Sequence, residues 1–282
     1  MRIYISADGE GVTGVVHGSE MHPDGREWAF GRRMMTADVN AAVAGAFAGG
    51  ATEVLVNDAH WSELNILPEA LDPRAQLLRG SGKSLPMMEG VADCDGVFLV
   101  GYHTQVGDGR GVANETLLGR EIFAVRINGE PTGELGINAA VSWHFGVPVL
   151  LVTGDDALAA EAAEVVPQAR AAVVKYAIGR WSARCLSAPV TGEIIRREAR
   201  VAVERLGRGE APRIAPPIRC GPFVCEVEFV STAHAAAAAL MPGTERAGPR
   251  TVLYTAADAP TASRAILAMM LLGARATDEW YG

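Results

Sequence analysis

An α/β fold, with a mainly parallel sheet flanked by helices and a smaller C-terminal α/β layer, is the architecture this sequence predicts. Three observations carry it. Short apolar runs alternate with longer segments of helical periodicity. The first two runs are joined by one such segment, which makes a βαβ unit and so a parallel pair. Successive runs also close on polar, ligand-type residues, and the carboxyl ends of strands are where open α/β sheets bind ligands.

The first run, with Ile3 and Ile5 alternating, ends in Ser6-Ala7-Asp8 and continues into Gly9-Glu10-Gly11. Gly9, Gly11 and Gly14 spell G-x-G-x-x-G. A dinucleotide fingerprint would have to open a helix and meet an acidic residue about 20 positions later. Here the glycines lead into a loop holding His17 and His22, and Asp8 and Glu10 would oppose a pyrophosphate. From Glu27 to Gly49, the apolar positions Met34, Met35, Val39, Val43 and Phe47 predict a helix that stops at Gly49-Gly50. The second strand, Glu53 to Val56, ends in Asn57-Asp58-Ala59-His60.

After a loop over Pro68 to Pro73, a short strand is expected from Gln76 to Gly80 and a short helical segment from Pro86 to Val91. The run Gly96 to Val100 leads through Gly101-Tyr102 to His103, and Thr104 to Gly111 reads as loop. Ile122 to Ile127 is a strand, Asn128-Gly129 a favoured two-residue hairpin turn, and the return arm brings in Gly133-Glu134. A helix follows from Leu135 to Phe145, then a strand from Val147 to Val152, in which Pro148 requires an edge or entry position.

Ala157 to Val165 and Pro189 to Leu206 read as helices around a strand at Ala171 to Ala177. Arg208 to Pro217, with three prolines, is the linker candidate. On this reading it separates a larger α/β unit over 1–207 from a smaller α/β region over 208–282, or joins two parts that pack as one unit. The smaller region contains strands at Phe223 to Phe229 and Thr251 to Thr255 and helices at Thr232 to Leu240 and Thr261 to Ala274.

Composition excludes several classes. The 282 residues are 49% hydrophobic and 21% charged, as in an ordinary globular chain with a sizeable core. A net charge of -8 argues against nucleic acid and anionic membranes as partners. No signal-like start or membrane-length apolar run occurs, so a cytoplasmic location is expected. Cys94, Cys185, Cys220 and Cys225 form no C-x-x-C, so neither a disulfide framework nor a thiolate zinc site is indicated. There is no G-x-S-x-G for a serine hydrolase.

What remains is a set of oxygen and imidazole donors at strand ends: Asp8, Glu10, His60 and His103, with Glu134 past the hairpin. Any one of them alone would pass as a cap, turn or packing residue. Together, at one edge of successive strands, they suit a borderline divalent ion such as zinc or manganese. Five donors exceed the needs of one four-coordinate ion and suit two, with Asp8 as the natural bridge. Asp58 is placed to orient His60 from a second layer. His17 and His22 could line a pocket. His144 and His234 read as packing residues, and Asp155 and Asp156 as turn or N-cap residues.

The sequence resembles the M55 family of metallopeptidases, the D-aminopeptidases. The likeness rests on Ser6-Ala7-Asp8-Gly9-Glu10-Gly11, Val56-Asn57-Asp58-Ala59-His60, Gly101-Tyr102-His103, Gly133-Glu134-Leu135-Gly136-Ile137-Asn138 and Met241-Pro242-Gly243-Thr244-Glu245. The resemblance implies a two-zinc aminopeptidase for short peptides with D-residues at the amino end, assembled as a ring-shaped decamer. The family's metal ligands fall on Asp8, Glu10, His60, His103 and Glu134. Where relatives carry a catalytic histidine, this chain has Glu115, a candidate general acid/base, with Asn114 beside it as a lesser candidate. That departure opens two alternatives: an amidase for another aminoacyl or non-peptide amide, and a binding or scaffold protein that retains its metal.

Overall fold

The computed structural model describes residues 1–211 and 214–276. Residues 212–213, inside the expected linker, and the chain end from 277 lie outside the described residues. In chain order the principal elements are β1 (Arg2–Ala7), α1 (Trp28–Ala48), β2 (Glu53–Asp58), β3 (Ala75–Leu78), β4 (Gly96–Val100), β5 (Ile122–Ile127), β6 (Glu130–Pro131) and α2 (Glu134–His144). They continue with β7 (Val149–Asp155), α3 (Asp156–Val165), β8 (Arg170–Gly179), β9 (Ser182–Cys185), α4 (Ala188–Gly207), β10 (Phe223–Phe229), α5 (Thr232–Ala238), β11 (Thr244–Arg246), β12 (Thr251–Ala256) and α6 (Ala259–Gly273).

Seven strands form the main sheet in the order β3-β2-β1-β4-β7-β8-β9. All neighbours run parallel except β9, which returns antiparallel along β8. The near-continuous apolar runs are explained by cover on both faces. Ile3 and Ile5 of β1 enter one core layer with Met35, Val39 and Val43 of α1 and Ile195 and Val203 of α4. Tyr4, between them, enters the other layer with Leu99, Leu135, Val141 and Ile266. Successive residues of a strand face opposite ways, so one strand feeds both cores.

The chain leaves β1 on one side to build β2 and β3, then returns to lay β4 on the other side. The reversal of strand order between β1 and β4 leaves a crevice at their carboxyl ends, where helices on opposite faces diverge. β2, β1 and β4 are adjacent there, so His60, Asp8 and His103 follow neighbouring strands.

A second, antiparallel sheet has the order β11-β12-β10-β5-β6. Phe223, Cys225, Val227 and Phe229 of β10 alternate inward, and α6 packs between this sheet and α2. The expected C-terminal layer is present, and it is completed by the β5–β6 hairpin from earlier in the chain. Asn128 and Gly129, at φ +55° and +84°, form the tight turn of that hairpin, as their residue types predict.

Two local expectations change, and one is met. Pro86 to Val91 is not helical: only Val91–Asp93 makes a 3-10 turn. The carbonyls of Pro86 and Met87 accept from Asn57, Ser6 and Tyr4 side chains, tying the segment across the sheet ends rather than along a helix axis. The strand after Pro148 lies inside the sheet, between β4 and β8, and the proline takes the entry position, just before the first residue. Glu134 is the first residue of α2 rather than part of a hairpin arm. The hairpin strand β9 and the short edge strand β11 were not anticipated.

Candidate metal centre

Two loops from the switch point carry most of the cluster, and two glycines let them meet. Asp8 N–H donates to the Val100 carbonyl and Gly11 N–H to the Gly101 carbonyl, both at 2.8 Å. A side chain on Gly11 would collide with the Tyr102 carbonyl. Gly101 sits at φ +76°, where a side chain would also meet the Asp8 carbonyl. Close backbone approach therefore requires glycine at both positions.

The loop of Glu10 is held from below by Lys175 of β8. This lysine is fully buried and donates to the carbonyls of Glu10, Val12 and Val15 at 2.6, 3.1 and 2.5 Å. Burial pushes its ammonium down to about 8, against the upward pull of Asp155 and other acids. Beside it, Thr13 donates to both oxygens of buried Asp38 at 2.8 Å, through its N–H and its hydroxyl. Neither Lys175 nor Asp38 figured among the expected site residues. The available signal was a single lysine in the otherwise apolar strand Ala171 to Ala177, because an unpartnered lysine is rarely tolerated there.

All five expected ligands are buried at one point. His60 Nδ1 lies 3.1 Å from both Asp8 Oδ1 and Glu10 Oε2. His103 Nε2 lies 3.3 Å from Asp8 Oδ2 and 3.4 Å from Glu134 Oε2. Asp8 is thus central, with one carboxylate oxygen toward each imidazole. The remaining ring nitrogens face backbone carbonyls: His60 Nε2 that of Met21 at 3.2 Å, His103 Nδ1 that of Thr104 at 3.0 Å. Imidazoles that bind metals are commonly oriented in this way.

Asp58 does not orient the His60 ring. Its carboxylate accepts from Asn65 N–H, Asn65 Nδ2 and Ile66 N–H at 2.6 to 3.0 Å. It therefore shapes the 60–66 loop, and Asn65 in turn donates to the His60 carbonyl. Glu134 Oε1 accepts from Leu117 N–H at 2.7 Å, which leaves Oε2 free to face His103.

The electrostatics ask for cations. Burial would raise the Asp8 carboxyl, but the His103 and His60 rings hold it well below the ordinary range. Burial opposes charge on both imidazoles, yet Glu10 and Asp8 hold His60, and Glu134 and Asp8 hold His103, well above the ordinary value. Asp8 Oδ2 and Glu10 Oε2 are buried without a hydrogen-bond donor of good geometry. Donor atoms of Asp8, Glu10 and His103 all lie within 4.8 Å of one another, so this trio can hold a divalent ion. Three carboxylates and two neutral imidazoles suit zinc or manganese, and the orphaned oxygens are the atoms such ions would satisfy.

Glu115 reaches the same space from the 111–117 loop, whose backbone is tied down by Val112 N–H donating to Asp155 at 2.7 Å. Burial, followed by the Glu10 carboxylate, pushes Glu115 up to about 8. Asn114 faces away: its amide donates to the Gly111 carbonyl and it lines neither lobe of the cavity. His17 and His22 do line the second lobe.

The cavity over the cluster has a lobe of about 630 Å³, walled by the apolar side chains of Met87, Ile137, Ile266, Leu267 and Met270. The α6 residues of that wall were not foreseen, because no local pattern links a C-terminal helix to the edge of the first sheet.

A family model described as Peptidase M55, D-aminopeptidase, matches residues 1–268. A D-aminopeptidase of Bacillus subtilis (strain 168) is 38% identical over 280 residues, 98% of this chain and 98% of its own. The solved structure described as the Zn-dependent D-aminopeptidase DppA from Bacillus subtilis, a self-compartmentalizing protease, is similar with a TM-score of 0.91 at 36% identity. That similarity covers 99% of each chain.

Proposed function

The chain belongs to the M55 peptidase family, the D-aminopeptidases, and on that premise we propose that it is a binuclear zinc aminopeptidase acting on short peptides with an N-terminal D-residue. The carrying observation is the convergence of Asp8, Glu10, His60, His103 and Glu134 around buried, unpartnered carboxylate oxygens. In this reading Asp8, Glu10, His60, His103 and Glu134 would hold the two ions.

Bound zinc supplies Lewis acidity, lowering the pKa of water and polarising the scissile carbonyl. The chain's own groups do the rest. The apolar wall of Met87, Ile137, Ile266 and Met270 excludes water around the bond. Glu115 accepts a proton on its carboxylate as the water oxygen bonds to the acyl carbon, then passes it to the leaving nitrogen as the C–N bond breaks. A carboxyl whose pKa is raised toward neutrality is suited to both halves of that transfer.

Among the described residues no helix is long and apolar enough to cross a membrane. A cytoplasmic location and a homo-oligomer follow from the same reading. The related protein described as self-compartmentalizing supports an oligomer, and a ring-shaped decamer is the form we propose.

The discriminating experiment is a panel of matched D- and L-aminoacyl dipeptides and amides, assayed before metal removal, after chelation and after zinc return. D-dipeptides are expected to be cleaved fastest, with activity lost on chelation and restored by zinc. Preference for an L-substrate or a non-peptide amide would move the chain to another substrate class. Full metal occupancy without turnover would make it a binding protein.

A further inference from the structure

The cavity over the cluster has a second lobe of about 510 Å³ with different chemistry. It shares Glu10, His60, Trp61 and Glu115 with the apolar lobe, but its outer wall includes Arg120, Arg180, His17 and Trp181. Cations face both lobes: Lys83, paired with Glu63 at 3.4 Å, and Arg275 line the apolar one. Arg120 and Arg180 are the arginines that face the second lobe.

Arg180 stands at the turn of the β8–β9 hairpin, and its backbone is tied to the site. Its carbonyl accepts from Ala113 N–H at 2.7 Å, binding the hairpin to the loop that carries Glu115. The guanidinium carbon lies 5.2 Å from the Trp181 ring centroid, and that ring meets His17 at 5.4 Å. Gly119 separates Arg180 from Glu115: a side chain there would collide with Glu115 Oε2 and crowd Arg180 Nη2, 3.1 Å away. No ion pair joins the two, and among the described residues neither Arg180 nor Arg120 has a carboxylate partner.

We propose that Arg180, supported by Arg120, is the subsite for the α-carboxylate of the substrate, and that it selects free dipeptides and tripeptides over blocked or long peptides. This rests on the aminopeptidase reading. A peptide substrate carries an ammonium at one end and a carboxylate at the other. With two zinc ions among the three ligand carboxylates the cluster carries no net negative charge, so it is the arginine pair of the second lobe that takes the carboxylate. A guanidinium is the side chain best shaped to take a carboxylate through two parallel N–H donors. Each residue beyond the scissile bond moves the carboxylate outward by about 3.3–3.6 Å. A cation separated from Glu115 by one glycine therefore suits one or two such residues.

The test compares a D-aminoacyl dipeptide with the same dipeptide amidated at its C-terminus, using the zinc-loaded full chain. The native protein is expected to favour the free acid in kcat/KM by about tenfold or more. In Arg180→Ala that preference collapses through a rise in KM for the acid, with Arg180→Lys intermediate. An equal loss on both substrates, or an unchanged ratio, overturns the subsite while leaving the aminopeptidase reading intact. Hydrolysis of neither peptide by the native protein overturns both.

Discussion

Replacing Asp8 with asparagine is expected to lower peptide hydrolysis by at least about 10³-fold. The change preserves size and shape, so loss of activity would not arise from packing. It removes the charge that sits between His60 and His103, where each carboxylate oxygen faces a different imidazole at 3.1 and 3.3 Å. An amide nitrogen in place of one oxygen would turn donor hydrogens toward the space a cation needs. Metal content measured by mass spectrometry should fall with activity, while circular dichroism shows the fold retained. Hydrolysis that survives Asp8→Asn would remove the metal cluster from the mechanism.

Glu115→Gln is expected to reduce kcat by about 10²–10⁴-fold with little change in KM or metal content, the signature of a lost proton carrier. Glutamine keeps the side-chain length and most of its polar contacts but cannot take up or release a proton. In the native enzyme, a limb of the kcat–pH profile should report the Glu115 carboxyl, which burial and Glu10 push upward. That limb should vanish in the variant. A loss smaller than about threefold would mean that another group moves the proton.

The convergence of Asp8, His60 and His103 was legible in the sequence because its parts are local signals. Asp8, His60 and His103 each follow an apolar run, and a parallel sheet places the ends of its strands along one edge. Their adjacency needed only the order β2-β1-β4, which the topology supplies. The Asn128-Gly129 turn was equally plain from residue types.

What escaped was set by contacts between distant segments. Pro86 to Val91 has helix-compatible composition, but its carbonyls are claimed by side chains of β1 and β2. Asp58 precedes His60 by two residues, yet its partners are Asn65 and Ile66, because the intervening loop folds back over it. Lys175 and Glu10 are 165 positions apart and meet only because β8 and the loop after β1 share one core. The apolar wall from α6 and the arginine-lined lobe from the β8–β9 turn likewise depend on how the sheets close around the site.

The central claim is that five residues hold two ions. Its most direct test is anomalous scattering from zinc-loaded crystals, recorded on both sides of the zinc absorption edge. Two peaks about 3.5–4 Å apart, both among Asp8, Glu10, His60, His103 and Glu134, are the predicted result. A single peak, or zinc seated away from these residues, would contradict it.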